Sequence, residues 1–193
     1  MSESGNLSAT LVHPTRAEPE QGALYGFAAA VAIADTLEAY RPGNAITLKW
    51  PNDVLIGGAK VSGLLVEREA EALLLGIGIN LMSHPEGTPY PATHLVAEMR
   101  AEDLDADEPL FTGARAVLAL LSSNVVARFE TLEQSGFEPI RRAWLSRAHG
   151  LGATVTVDRK AGRFDGLAEN GALLMTLPDG KERRVHAGDV SFG

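Results

Sequence analysis

The chain has no cysteine among its 193 residues. That excludes a disulfide framework, a thiol nucleophile and a thiolate zinc site, and it fits a reducing compartment. Long apolar runs are also missing. The most apolar helical stretch, Phe27 to Leu37, carries Asp35 and falls well short of the roughly 20 residues that a membrane span needs. Met1 to Leu11 is polar, without a basic flank, so no secretory signal is read there. The expectation is a cytoplasmic protein with no membrane partner. Positive charge is scarce: 17 Lys and Arg stand against 25 Asp and Glu, for a net charge of −8. A broad nucleic-acid surface needs clustered basic residues, so no DNA partner is expected. The basic residues gather late, at Arg141, Arg142, Arg147, Arg159, Lys160, Arg163, Lys181, Arg183 and Arg184. Solvated helix and hairpin faces are the plain reading, with a small anion site as the lesser one.

Familiar catalytic patterns are absent as well. The five histidines show no i, i+4 pair and no H-E-x-x-H, so each reads as a structural or surface histidine and no metal ligands are assigned. There is no G-x-S-x-G elbow and no G-x-x-x-x-G-K-[ST] loop. Gly76-Ile77-Gly78 lacks a third glycine and runs into further β-like sequence, so it is no dinucleotide fingerprint.

What is present organises into two parts. Residues 7 to 12 read as a strand, and His13 to Pro19 as a loop. Glu20 to Tyr40 repeats apolar residues at helical spacing and ends at Arg41-Pro42-Gly43-Asn44. A run of β-segments follows. Ile46, Leu48 and Trp50 share one face, and Thr47 and Lys49 the other. Pro51 ends the ladder, Val54 to Ile56 is short, and Gly57-Gly58 is a two-residue hairpin signal. Ala59 to Glu67 returns, Arg68 to Glu71 turns, and Ala72 to Leu81 is the next strand, with Leu73-Leu74-Leu75 suggesting burial on both faces. Ser83 to Pro91 reads as a loop, Thr93 to Arg100 as a helical turn, and Glu102 to Glu108 as exposed. Pro109 to Gln134 reads as the longest helix and Phe137 to His149 as a second, stopped by Gly150. Beyond it lie short strands at 154–157, 162–167, 172–176 and 183–192, with turns at Asp158, Gly162, Asn170-Gly171 and Asp179-Gly180. The domains expected are 1–149 and 150–193.

One residue stands out chemically. Lys49 sits on a strand, opposite the apolar face and directly before Trp50-Pro51. Asn52 and Asp53 lie within a turn of it. Gly63, Gly76 and Gly78 allow backbone to approach a ligand closely. A lysine on the wet face of an antiparallel sheet is common. A lysine on a rigid strand also suits a carboxylate or phosphate. The residues alone leave both readings open.

The ordered set resembles a known family. Lys49-Trp50-Pro51-Asn52-Asp53, then Lys60-Val61-Ser62-Gly63-Leu64-Leu65-Val66-Glu67, then Gly76-Ile77-Gly78-Ile79-Asn80 is similar in order and spacing to the biotin protein ligases. Gly5-Asn6-Leu7 resembles the strand that precedes them. The C-terminal β-module, ending Gly188-Asp189-Val190-Ser191, resembles their small SH3-like domain. The resemblance implies an α+β fold: a mixed or antiparallel sheet with packed helices, like a class II aminoacyl-tRNA synthetase core, here incomplete, followed by a five-stranded SH3-like barrel. It implies that biotin attacks the α-phosphorus of ATP to give biotinyl-adenylate. A lysine of a biotin carboxyl carrier protein, from acetyl-CoA carboxylase or another biotin-dependent carboxylase, then takes the biotinyl group. By resemblance Lys49 contacts the biotin carboxylate and the α-phosphate. The backbone around Gly63, Leu64 and Leu65 lines the biotin pocket, where a strand edge hydrogen-bonds the ureido ring. Asn80 lies near the nucleotide. Asn52 and Lys60 join the nucleotide set, although Asn52 and Asp53 read first as bracing the turn, and Lys60 reads equally as a surface hairpin lysine. Mg²⁺ is expected to screen the triphosphate, and a homodimer stays open.

The sequence also departs from the family. No stretch matches the serine-threonine-asparagine biotin contact or the G-R-G-R-R-G-R loop of complete ligases. The expectation is an N-terminal truncation, with weak biotin binding and little pyrophosphate release from these residues alone. A non-catalytic binding module and a lipoate-ligase relative are the alternatives.

Overall fold

The computed structural model describes residues 5–15, 19–40, 46–99, 113–188 and 190–192. Ten strands form two five-stranded antiparallel sheets. The first holds β1 (Leu7–Pro14), β2 (Ile46–Lys49), β3 (Asp53–Ile56), β4 (Ala59–Glu69) and β5 (Ala72–Ile79), in the order β1-β5-β4-β3-β2. The second holds β6 (Thr154–Val157), β7 (Lys160–Leu167), β8 (Leu173–Thr176), β9 (Glu182–Val185) and β10 (Val190–Phe192), in the order β10-β6-β7-β8-β9. Four helices complete the described fold: α1 (Pro19–Tyr40), α2 (Leu95–Glu98), α3 (Ala114–Ser135) and α4 (Phe137–Leu145).

Helix α1 is the centre of the core. Every residue from Phe27 to Ala34 is buried, because the sheet takes one side of the helix and α3 and α4 take the others. Gln21–Tyr40 is long and apolar enough to pass for a membrane span, but two-thirds of it is buried inside the fold, where its apolar surface is satisfied. Asp35, the acid within that stretch, receives both Arg128 of α3 and Arg147 beyond α4, at 2.7 and 2.9 Å. Phe27 meets Phe137 and Trp144 edge-to-face at 5.6 Å, which docks α4 on α1.

The two sheets meet at the same place. Trp50 Nε1–H donates to the carbonyl of Gly171 at 3.1 Å, in the turn before β8. Gly171 has φ of +80° and lies against Phe27, so that an added Cβ would stand 2.5 Å from the ring. Left-handed backbone and lack of space both demand glycine here. Gly171→Ala is expected to cost about 2–4 kcal/mol and to lower the melting temperature by roughly 5–15 °C in a thermal scan. An unchanged melting curve would show that this junction is soft.

Several boundaries differ from the sequence reading. The second helix ends at Leu145, not His149, because Arg147–His149 leaves the helix to pair with β2: Leu48 N–H donates to Arg147 O and His149 N–H to Leu48 O. The sheet it joins is antiparallel throughout, apart from this short parallel bridge and one at Lys60 and Ala92. Leu74 is half-buried while Leu73 and Leu75 are fully buried, so β5 is covered on one face rather than two. Gly162 lies inside β7, and the turn uses Asp158 and Arg159, both at positive φ. The start of the Pro109 helix, the acidic 102–108 stretch and the Arg41 to Asn44 stop lie outside the described residues.

Candidate functional site

Lys49 is the last residue of β2, and the register of the sheet carries a row across from it. Lys49 stands opposite Asp53, Asp53 opposite Gly63, Gly63 opposite Gly78, and Gly78 opposite Ser8. Residues in direct register project to one face. The next row holds Leu65, Gly76 and Thr10. This is the face turned away from the helices: Ser8, Thr10, Leu65 and Gly78 are exposed, while Leu64, Leu75 and Ile77 between them are buried. Asp53 and Ser8 therefore stand three strand spacings, about 14 Å, apart, with only glycine backbone between them. A Cβ at Gly78 would meet nothing within 4 Å. The result is a trough with a bare peptide floor.

One end of the trough is charged. Lys60 Nζ lies 2.6 Å from Asp53 Oδ1 and 5.2 Å from the centroid of the Tyr90 ring. A Cβ at Gly63 would come within 3.2 Å of Lys60 Nζ, so this glycine makes room for the ion pair. A β-bulge arranges it. The Gly57-Gly58 hairpin starts with Ile56 opposite Ala59 and Leu55 opposite Lys60, but beyond a shift the pairs are Val54 with Ser62 and Asp53 with Gly63. The inserted residue puts Lys60 and Gly63, three apart in sequence, on the same face. Lys60 borders three adjoining hollows. One of about 400 Å³ includes Lys49, Asp53, His149 and Ser191. One of about 210 Å³ includes Gly78, Asn80 and Tyr90. The third, about 330 Å³, runs over Ser8, Thr10, Gly63, Gly76 and Gly78.

Two segments wall the charged end. The first follows β5. Asn6 Oδ1 accepts the N–H groups of Leu81, Met82 and Ser83, at 2.9, 3.0 and 3.3 Å. Asn80 Nδ2 donates to Thr93 O at 3.0 Å, and Lys60 N–H donates to Pro91 O at 2.8 Å. These bonds fold the Ser83 to Pro91 loop back over Lys60. His84 and His94 meet Nδ1 to Nδ1 at 2.8 Å; burial, then the charge of His84, hold the His94 imidazole below its ordinary pKa. The second wall is Arg147–His149. His149 Nδ1 lies 3.5 Å from Thr47 Oγ1, and burial followed by the charge of Lys49 holds the His149 imidazole below the usual range.

The structure thus gathers Lys49, Lys60, Gly63, Leu65 and Asn80 around one trough. Leu64 turns its side chain into the core at 4% exposure, and its N–H and C=O are both held by Asn52, at 3.0 and 2.6 Å, while the residue still borders the hollow of about 330 Å³. That bracing role is the one the residues suggested for Asn52. One expectation needs correction: β4 lies inside the sheet between β3 and β5, so it offers a ligand its glycine face rather than a strand edge. The sequence reading assigned no role to Ser8, Thr10, Tyr90 or His149. Gly76 and Gly78, read as places where backbone comes close to a ligand, lie in the floor: pairs counted from the turn after Glu69 set Leu65 against Gly76 and Gly63 against Gly78.

A larger cavity lies elsewhere. About 470 Å³ opens between β1 and α3, lined by Leu11, Ile77, Leu121, Val125 and Phe129 with Glu130 and Glu133. Its His13 already faces Glu133 at 3.2 Å, so it offers an anion little.

Comparisons with known proteins place the chain in a family. One family model, the biotin/lipoate A/B protein ligase family, matches residues 1–82, and a second, the biotin protein ligase C terminal domain, matches residues 151–193. A biotin–[acetyl-CoA-carboxylase] ligase of Paracoccus denitrificans is 35% identical over 98% of this chain and 81% of its own length. The chain belongs to the biotin protein ligase family. The bifunctional ligase/repressor BirA of Bacillus subtilis is 28% identical over 86% of the chain, which spans 51% of that protein's length. Among solved structures, a biotin protein ligase from Aquifex aeolicus superposes with a TM-score of 0.82 at 23% identity, over 98% of this chain and 83% of that one. The same enzyme in complex with biotin and ATP gives 0.80 at 24% identity, over 99% and 79%. That degree of identity speaks to the fold; the family membership rests on the sequence matches. Within the family, this chain carries the KWPND lysine at the cationic end of a glycine-floored trough.

Proposed function

We propose that this chain activates biotin with ATP and transfers it to a lysine of a biotin carboxyl carrier protein, that of acetyl-CoA carboxylase. The observation that carries the reading is the in-register row Lys49–Asp53–Gly63–Gly78–Ser8 in a chain 35% identical to a biotin–[acetyl-CoA-carboxylase] ligase. A bicyclic ring with a planar ureido group packs closely on a floor without side chains, and Gly63, Gly76 and Gly78 supply one. The ring's acid tail then points along the row towards Lys49 and Lys60. As the carboxylate oxygen bonds to the α-phosphorus, pyrophosphate leaves and charge builds on the phosphoryl oxygens. A fixed ammonium at Lys49 favours that transition state. Ser8 and Thr10, at the far wall, suit the ureido group as hydrogen-bond partners.

The nucleotide belongs at the other end, against Asn80, Lys60 and Tyr90. Among the described residues no group of three or more His, Asp or Glu could hold a resident metal. Mg²⁺ would therefore arrive with the triphosphate, which suits an ion that keeps most of its ligands from phosphate and water. DNA is left out of the partners on charge, since the net is −8.

Lys60→Met is expected to weaken ATP binding about 10-fold by removing one charge-assisted contact. Its pair with Asp53 is a half-buried surface pair, so stability should move by no more than about 1 kcal/mol. Calorimetric titration of ATP into both proteins checks this. The reading as a whole is tested by transfer: with ATP, biotin and an apo carrier domain, the carrier should gain one biotinyl mass. The Paracoccus ligase serves as the positive control. Preferential transfer of lipoate, or no transfer under conditions where the control transfers, would overturn the reading.

A further inference from the structure

We infer that His149 is the general base of the transfer half-reaction, taking the proton that the acceptor amine sheds as it attacks the biotinyl-adenylate. The inference rests on the function proposed above and adds a residue that no family motif marks.

The placement is built rather than incidental. Asp35 holds Arg147 at 2.9 Å, and Arg147 O and His149 N–H bracket Leu48 by backbone hydrogen bonds of 2.8 and 2.9 Å. His149 is thereby fixed beside the end of β2, where Lys49 stands. Both line the cavity of about 400 Å³ at the charged end of the trough. Among the described residues, the charged groups lining that cavity are Lys49 on β2, Asp53 on β3 and Lys60 on β4, with Tyr90 from the loop after β5 and Val190 and Ser191 from β10. Asp53 and Lys60 lie 2.6 Å apart. His149 is the imidazole on this lining, and burial, then the charge of Lys49, lower its pKa and so favour the neutral, proton-accepting form.

The chemistry balances without another reactant. The acceptor lysine loses its ammonium proton to solvent and attacks the acyl carbon as the free amine. The new C–N bond forms, and the proton now on that nitrogen passes to His149. The acyl C–O bond breaks, and its electron pair leaves with AMP. Thr47 Oγ1, 3.5 Å from His149 Nδ1, holds the plane of the ring beside Lys49. The phosphate of the bound adenylate draws the imidazole pKa back upward, towards the range where a base is effective.

The test uses this chain with synthetic biotinyl-adenylate, which bypasses activation, and an apo carrier domain. Transfer by the wild type should fall as pH drops through the His149 titration. His149→Ala should lower the single-turnover rate about 100-fold while biotinyl-adenylate affinity moves less than about 3-fold, and added imidazole should restore part of the rate. Equal rates in wild type and variant, or no imidazole rescue, overturn the proposal. So does a wild type that binds the adenylate yet transfers no faster than free adenylate reacts. A wild type that fails even to bind biotinyl-adenylate instead removes the functional reading on which the proposal rests.

Discussion

Alanine at Lys49 is expected to lower biotin-dependent ATP–pyrophosphate exchange about 100- to 1,000-fold, the range seen when a fixed charge-stabilising donor is removed from a transition state. The assay is run on the chain and its variant, with the Paracoccus ligase, 81% of which the chain covers, as the positive control. Lys49 ends β2, is half-buried, and faces the trough in register with Asp53. Its neighbours Leu48 and Trp50 are buried on the other face and hold the strand against the core, at 0% and 3% exposure. The side chain can therefore be removed without disturbing packing, and the melting temperature should move by little. Retained exchange in the alanine variant would make Lys49 an ordinary lysine on the wet face of a sheet.

Valine at Gly78 should abolish biotin binding, weakening it at least about 100-fold, while leaving the fold intact. Valine is a favourable strand residue, and the position has no positive φ and nothing within 4 Å of its Cβ direction. What valine does fill is the centre of the trough floor, between Gly63 and Ser8. Steric exclusion from a shaped pocket costs several kcal/mol because neither wall can retreat through a hydrogen-bonded sheet. Gly63→Val is a useful contrast: it meets Lys60 at 3.2 Å and so disturbs the ion pair as well as the floor. A Gly78→Val protein that binds biotin normally would place the ligand elsewhere, the larger β1–α3 cavity first among the candidates.

Much of this was legible before any coordinates. The Gly57-Gly58 hairpin, the alternation through Ile46, Leu48 and Trp50, and the apolar periodicity of α1 follow from local chemistry, and each holds. Register was harder. Counting back from the hairpin pairs Asp53 with Ser62, and only the bulge after Val54 moves it to Gly63 and sets Lys60 over the glycine. No residue type announces that bulge. Along Gly63 to Leu65 the alternation is local: Leu64 turns its side chain inward, while Gly63 and Leu65 face the trough. His149 was unreadable for a different cause. Its position depends on α4 stopping at Leu145 so that Arg147 can reach Asp35, a contact 112 residues apart in sequence.

The most direct test of the trough is calorimetric titration of biotin and of lipoate into the 193-residue chain and its Gly78→Val variant. The account predicts measurable biotin binding by the wild type, weaker binding of lipoate, and loss of the biotin signal in a variant that still melts as the wild type does. Biotin binding that survives valine at Gly78, or lipoate binding as tight as biotin, would contradict it.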